Sequence, residues 1–263
     1  MWAAYDDRRP FFVLMAALIA MTWLALGIWS ISPYARFLDH EVLGHLEFAI
    51  SGEYLVFLLV FVAGWTLMTV AMMLPTSMPL VMLFRRLTRQ RPDHLWLVVL
   101  LIAGYLSVWG LFGGLAHFGD LFVHKAVEQS EWLATNAWVV GAGTIMLAGI
   151  YQFTPLKYKC LDKCRSPLSF IAEHWRGSHE ASQAFRLGAH HGLFCVGCCW
   201  SLMLLMFVVG VGNLGWMLAL GAVMAVEKNM PWGKKISAPL GIALVGWSLV
   251  LVATAAHTAQ HLH

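Results

Sequence analysis

Charge is what this sequence has least of. Of its 263 residues only 12% are Asp, Glu, Lys or Arg, against about a quarter in an ordinary soluble domain. With so few charged side chains the chain cannot clothe a folded surface in polar groups, which excludes a soluble globular domain and a disordered tail. The net charge of +3 is too small to grip a phosphate backbone, and no nucleic-acid partner is expected. Cysteine is scarce too. The five thiols all fall between Cys160 and Cys199, whereas a secreted disulfide scaffold would be dense in them. A Walker-type glycine loop, an internal repeat and a low-complexity linker are also missing, which excludes an ATP-driven pump and a repeat array.

What is there is apolar: 60% hydrophobic residues with 13 Trp, 15 Phe and 14 Met, and a mean hydropathy of +0.70. The expected fold is all-α, a polytopic transmembrane helical bundle, because a spanning helix needs about 20 mainly apolar residues and must satisfy its own backbone. Seven stretches qualify: residues 11–31, 54–74, 95–117, 136–153, 192–211, 214–226 and 237–256. The sixth is short and spans only if Glu227 and Lys228 sit at the interface, the lysine snorkelling outward. Six spans with that segment re-entrant is the alternative.

Nearly all of the 17 Lys and Arg fall in alternate connections: Arg8 and Arg9; Arg85, Arg86, Arg89 and Arg91; Lys157 through Arg186; Lys228, Lys234 and Lys235. The other connections hold Arg36 and Lys125 among several carboxylates. The positive-inside rule then predicts a cytoplasmic N-terminus and an outer C-terminus, in a multi-pass protein of the bacterial inner membrane with lipid as a partner. The first apolar stretch lacks a small-x-small cleavage site and is expected to be a retained helix. Residues 1–263 are expected to form a single integral membrane domain, with a long cytoplasmic loop at 154–189. Within it Ser166-Pro167 reads as a cap and first helical position. The short helix that follows, with Phe170, Ile171 and Trp175 on one side, suits the membrane surface.

Clustered thiols on a reducing side point to metal binding or redox work. Cys160 and Cys164 stand at i, i+4. His191, Cys195, Cys199 and Met203 form one helical stripe, with Cys198 and Met206 beside it and His190 at its mouth. Thiolate, imidazole and thioether are soft donors that suit Cu(I) first and Zn(II) next. The plainer reading is that Cys and Met only pack, with Gly192 and Gly197 marking close helix contact. Lys157, Lys159, Lys163 and Arg165 could activate Cys160 and Cys164 as nucleophiles, or anchor the loop to anionic lipid; the anchor is the simpler account.

A second set lies on the predicted outer side. His117, Asp120 and His124 share one helical face, a borderline-to-hard donor set for zinc, copper(II) or iron. Glu41 and His45 in the first loop, with His40, and His257, His261 and His263 in the tail belong to the same side. Between the two sets the second span carries Met68, Met72, Met73, Met78 and Met82 around Pro75 and Pro79. Pro75 must kink it, and the methionines could pass a soft cation along or merely pack.

Several strings together resemble a bacterial family of predicted metal-binding integral membrane proteins of uncharacterised function. They are Met72-Met73-Leu74-Pro75, Gly104-Tyr105 with Trp109, Tyr151-Gln152 before Pro155-Leu156-Lys157, Cys160 with Cys164-Arg165, Gly197-Cys198-Cys199-Trp200 and Glu227-Lys228. The resemblance implies a polytopic membrane fold and a metal site on those cysteines, with no substrate or reaction attached. The expected function is binding of a soft transition metal, copper ahead of zinc or iron, in transport, homeostasis or delivery, with a partner subunit or metallochaperone to match. A membrane-embedded metalloenzyme or oxidoreductase using the outer His/Asp set, its catalytic residues unknown, is one alternative. A subunit or assembly factor of a larger complex is another.

Overall fold

The computed structural model describes residues 8–31, 52–176, 179–210 and 213–261. Among these every regular element is helical: α1 (Arg8–Ser30), α2 (Gly52–Met72), α3 (Leu74–Thr88), α4 (His94–Gln129), α5 (Glu131–Thr135), α6 (Trp138–Tyr151), α7 (Pro155–Arg165), α8 (Pro167–His174), α9 (Glu180–Val209), α10 (Leu214–Asn229), a 3-10 turn (Gly233–Ile236) and α11 (Ser237–His261). His40, Glu41, His45 and His263 lie outside the described residues, as does the side chain of His261. Four stretches are long and apolar enough to cross a membrane, in α1, α4, α9 and α11, or up to six if two bent pairs each count as one. The sixth expected span corresponds to α10, whose 16 residues fall short of that length.

The first bend separates α2 from α3 by 68°. Its cause is Pro75, which has no N–H to offer the carbonyl of Ala71 and opens α3 at its second position. Thr76 Oγ1 and the Tyr105 hydroxyl donate to the Met73 carbonyl at 2.7 and 3.4 Å, so the broken turn is satisfied by side chains. Met73 itself is fully buried. The second bend, 64° between α6 and α7, has Thr154 as N-cap, its hydroxyl accepting from Lys157 N at 3.3 Å, with Pro155 at the first helical position.

The most extensive packing is between α4 and α9, and glycines permit it. A Cβ on Gly104 would strike the Phe185 carbonyl, and one on Gly188 the Leu101 carbonyl; one on Gly192 would lie 3.1 Å from the Tyr105 carbonyl. Gly197 plays another part, since its missing Cβ leaves room for the Cys160 sulfur. The expected loop at 154–189 is largely helical, as α7, α8 and the first turns of α9. Ser166 does precede the α8 helix, with no side-chain cap bond. Phe170 and Ile171 are buried in the protein rather than turned to a surface, with Phe84 and Leu187 in the same apolar cluster, and the Phe84 and Trp175 rings meet edge-on at 5.0 Å.

Glu227 and Lys228 overturn one expectation. Lys228 does not snorkel outward: it and Glu227 are both buried in the protein. Glu227 accepts from Lys157 Nζ at 2.7 and 2.9 Å and from Ser237 Oγ at 2.6 Å, and Lys157 Nζ also reaches Gln152 Oε1. Arg165 donates to the backbone carbonyls of Glu227, Met230 and Pro231. This network ties α7 to α10 and α11. It also withdraws Lys157 and Arg165 from the lipid-anchoring role, while Lys163 pairs with Glu173 at 2.5 Å; Lys159 remains exposed.

Candidate metal centre

Helix α9 carries Cys195, Cys198 and Cys199 inside the main core, all buried, beside Met203 and Met206. Spacing of three and four residues puts the three thiols on one face. Their first partners are the preceding turn: Cys198 and Cys199 both donate to the Cys195 carbonyl, at 3.1 and 2.9 Å. Helix α7 packs against α9 and brings two more thiols to it. Cys164 packs against the same core, close enough to Cys195 and Cys198 to interact with both. Cys160, one turn earlier, sets its sulfur against Gly197 beside Cys198. All five are free thiols.

Three further groups complete the surroundings. The Tyr105 hydroxyl lies 3.0 Å from Cys195 Sγ. Met73, held at the α2–α3 break, places Sδ 3.8 Å from Cys199 Sγ. Lys228, reaching in from the end of α10, sets Nζ 2.9 Å from Cys195 Sγ, 3.3 Å from Thr76 Oγ1, 3.7 Å from Met73 Sδ and 3.9 Å from Cys199 Sγ. A buried ammonium must be compensated, and here the compensation is chiefly sulfur.

The two expected histidine donors part company. His191 is buried one turn before Cys195, its Nε2 3.2 Å from Ser77 Oγ and its ring 5.7 Å from that of Tyr105; its Nδ1 has no hydrogen-bond partner among the described residues. His190 is exposed and faces His174, ring centroids 5.1 Å apart. On the outer set, His117 is buried with its ring 4.8 Å from Phe61, while His124 Nδ1 lies 3.7 Å from Asp120 Oδ2. At 1.5 Å per residue this set begins about 18 Å along α4 from Tyr105. His257 is exposed.

Among the described residues no group of three or more His, Cys, Asp or Glu side chains is arranged so that it could hold a metal ion. At the thiol site the Lys228 ammonium stands among the sulfurs. The chemistry of the donor set nonetheless fits a soft ion, with four thiols and a methionine gathered in an apolar core. Sequence periodicity identified the α9 stripe. It missed Met73, Thr76, Tyr105 and Lys228, although Met73, Tyr105 and Lys228 all stand in the strings that carried the resemblance.

No curated protein and no solved structure matches the chain. A family model does, over residues 62–251, a stretch that takes in every thiol, the α2–α3 break and the α10 lysine. The chain belongs to the PpoB2 copper chaperone family.

Proposed function

We propose that the protein is a multi-pass protein of the bacterial cytoplasmic membrane that holds copper at its thiol cluster and passes it to a partner protein. The observation that carries this reading is the gathering of soft donors at one buried point: Cys195, Cys198 and Cys199 on one face of α9, Met73 Sδ 3.8 Å from Cys199 Sγ, and Cys164 of α7 beside them. Packing alone gives no reason to bring soft donors from three elements together, whereas a soft cation needs such a set. Membership of a copper chaperone family supports copper as the cargo and delivery as the purpose. The run of basic residues in alternate connections supports a cytoplasmic face for the cluster, with seven crossings and the N-terminus inside. The His117, Asp120 and His124 set lies about 18 Å along α4 from Tyr105 and is left out of the proposed site.

Elemental analysis of the purified full-length protein tests this. The wild type should carry close to one copper per chain. The double variant Cys195→Ser with Cys199→Ser should lose roughly tenfold or more, as expected when thiolates are removed from a soft site, while remaining monodisperse on gel filtration. His117→Ala should keep its copper. Copper retained by the double serine variant, or lost with His117→Ala, overturns the assignment.

A further inference from the structure

Lys228 is an unusual occupant of a sulfur cluster. An ammonium offers three donors and a buried one ordinarily pairs with a carboxylate. The adjacent carboxylate, Glu227, is committed to Lys157, Ser237 and α7. Lys228 instead bonds Thr76 and three sulfurs, those of Cys195, Met73 and Cys199. Those sulfurs come from two places fixed by independent causes, one face of α9 and the turn that Pro75 breaks.

We propose that the point taken by the Lys228 ammonium is the cation position of the thiol site: a monovalent soft ion enters by displacing it, Cys195 and Cys199 bind as thiolates with any thiol proton released to solvent, and Met73 joins them as a third sulfur donor. This rests on the thiol cluster being the copper site and adds to it a ligand and a selectivity. One pair of the sulfurs already has the spacing for it. Two sulfurs each bonded to one ion at about 2.3 Å stand roughly 3.8–4.0 Å apart at tetrahedral to trigonal angles, and Met73 Sδ lies 3.8 Å from Cys199 Sγ. The thioether, an uncharged soft donor, favours Cu(I) over harder ions.

Selectivity follows from the tether. The displaced ammonium cannot leave, since Lys228 is buried at the end of a helix whose next-door residue is locked to α7. It stays within a few ångströms of the ion as a fixed positive charge. Charge interactions scale with the product of the charges. A divalent ion gains twice the attraction of the thiolates but also meets twice the repulsion of the ammonium, so the fixed charge removes part of the advantage a divalent ion would otherwise hold. Thr76, already bonded to Nζ, is an oxygen to which the ammonium can keep its bond as it moves aside. Together with the soft three-sulfur donor set, the arrangement favours Cu(I) and Ag(I) over Zn(II).

The test uses the full-length protein in lipid nanodiscs, equilibrated with Ag(I), with Cu(I) under reductant, or with Zn(II), then desalted and analysed for metal. The wild type should retain Ag(I) and Cu(I) at least about tenfold more tightly than Zn(II). Lys228→Gln should keep Ag(I) and raise Zn(II) affinity by about tenfold or more, because only the fixed charge is lost. X-ray absorption of the Cu(I)-loaded wild type should show three sulfur neighbours, and Met73→Leu should show two. Wild-type protein that takes Zn(II) as well as Ag(I), or a two-sulfur copper shell in the wild type, overturns the proposal without any variant having to fold. Unchanged discrimination in Lys228→Gln does the same. If the Cys195→Ser, Cys199→Ser protein keeps all its metal, the copper reading itself fails; if it loses metal while Lys228→Gln still excludes Zn(II), only the role of Lys228 fails.

Discussion

Lys157 is wholly buried, and its ammonium faces both oxygens of an equally buried Glu227. Taking both ions out of water is costly, and their attraction offsets that cost only because Gln152 and Ser237 satisfy the remaining positions. Removing one partner strands the other. Lys157→Met should therefore destabilise the protein by about 3–5 kcal/mol, whereas Lys157→Met with Glu227→Leu should recover most of the loss. Thermal unfolding in detergent reads this, and a single-variant cost below about 1 kcal/mol would mean that water reaches the pair. Glu227 and its neighbour Lys228 show how far side-chain placement can be read in advance. Cys195 and Cys199 announce their common face by helical period alone. Glu227 and Lys228, two charges closing an apolar run, read as interface residues because periodicity within α10 says nothing about α7 and α9 closing over its end. Met73 was hidden for a related reason: methionine fills gaps almost anywhere, and only the break at Pro75 turns this one into a neighbour of Cys199.

Between elements the decisive contact is α4 against α9, since it brings Tyr105 beside Cys195. Its closeness depends on glycines at which a Cβ would strike the other helix's backbone. Gly104→Ala and Gly188→Ala should each force the helices apart and cost about 1–3 kcal/mol by overpacking. Gly114, on the same α4 helix, has open space where a Cβ would go. Gly114→Ala should instead stabilise by about 0.5–1 kcal/mol through helix propensity. Thermal unfolding of the three variants side by side separates the two effects, and an equal response at all three sites would remove the close-approach argument. The kink at Pro75 and the short helix after Ser166 were legible in the chain, because proline acts locally. The burial of α8 was not: Phe170, Ile171 and Trp175 form an apolar face that suits lipid and protein alike, and only the placement of Phe84 decides between them.

For the molecule as a whole, the open matter is whether α10 carries the chain across the bilayer. Its 16 residues amount to about 24 Å, short of a hydrocarbon core of roughly 30 Å, which is why length and composition alone pass it over. Its neighbours argue for a crossing. Leu214 at its start lies 3.9 Å from where a Gly27 Cβ would stand, near the far end of α1, and Gly221 meets Met72 at mid-length. Lys228 at its end reaches Thr76 and Cys195. The helix thus runs from the level of the α1 terminus to the level of the thiols, and its last turn is polar because that turn is enclosed by α7 and α9. Helix α11 returns alongside α6, with Ser248 Oγ donating to the Ala142 carbonyl at 2.8 Å and Gly149 against Val245. Since α6 precedes the basic α7, α11 must lead away from the basic side. An epitope tag at the C-terminus should then be digested by protease added to intact spheroplasts, while a tag inserted at Gln90, in the exposed turn between α3 and α4, should be protected until the membrane is broken. Protection of both tags would make α10 re-entrant and give six crossings. It would not alter the cytoplasmic placement proposed for the thiol cluster, because the basic connections on which that placement rests precede α10.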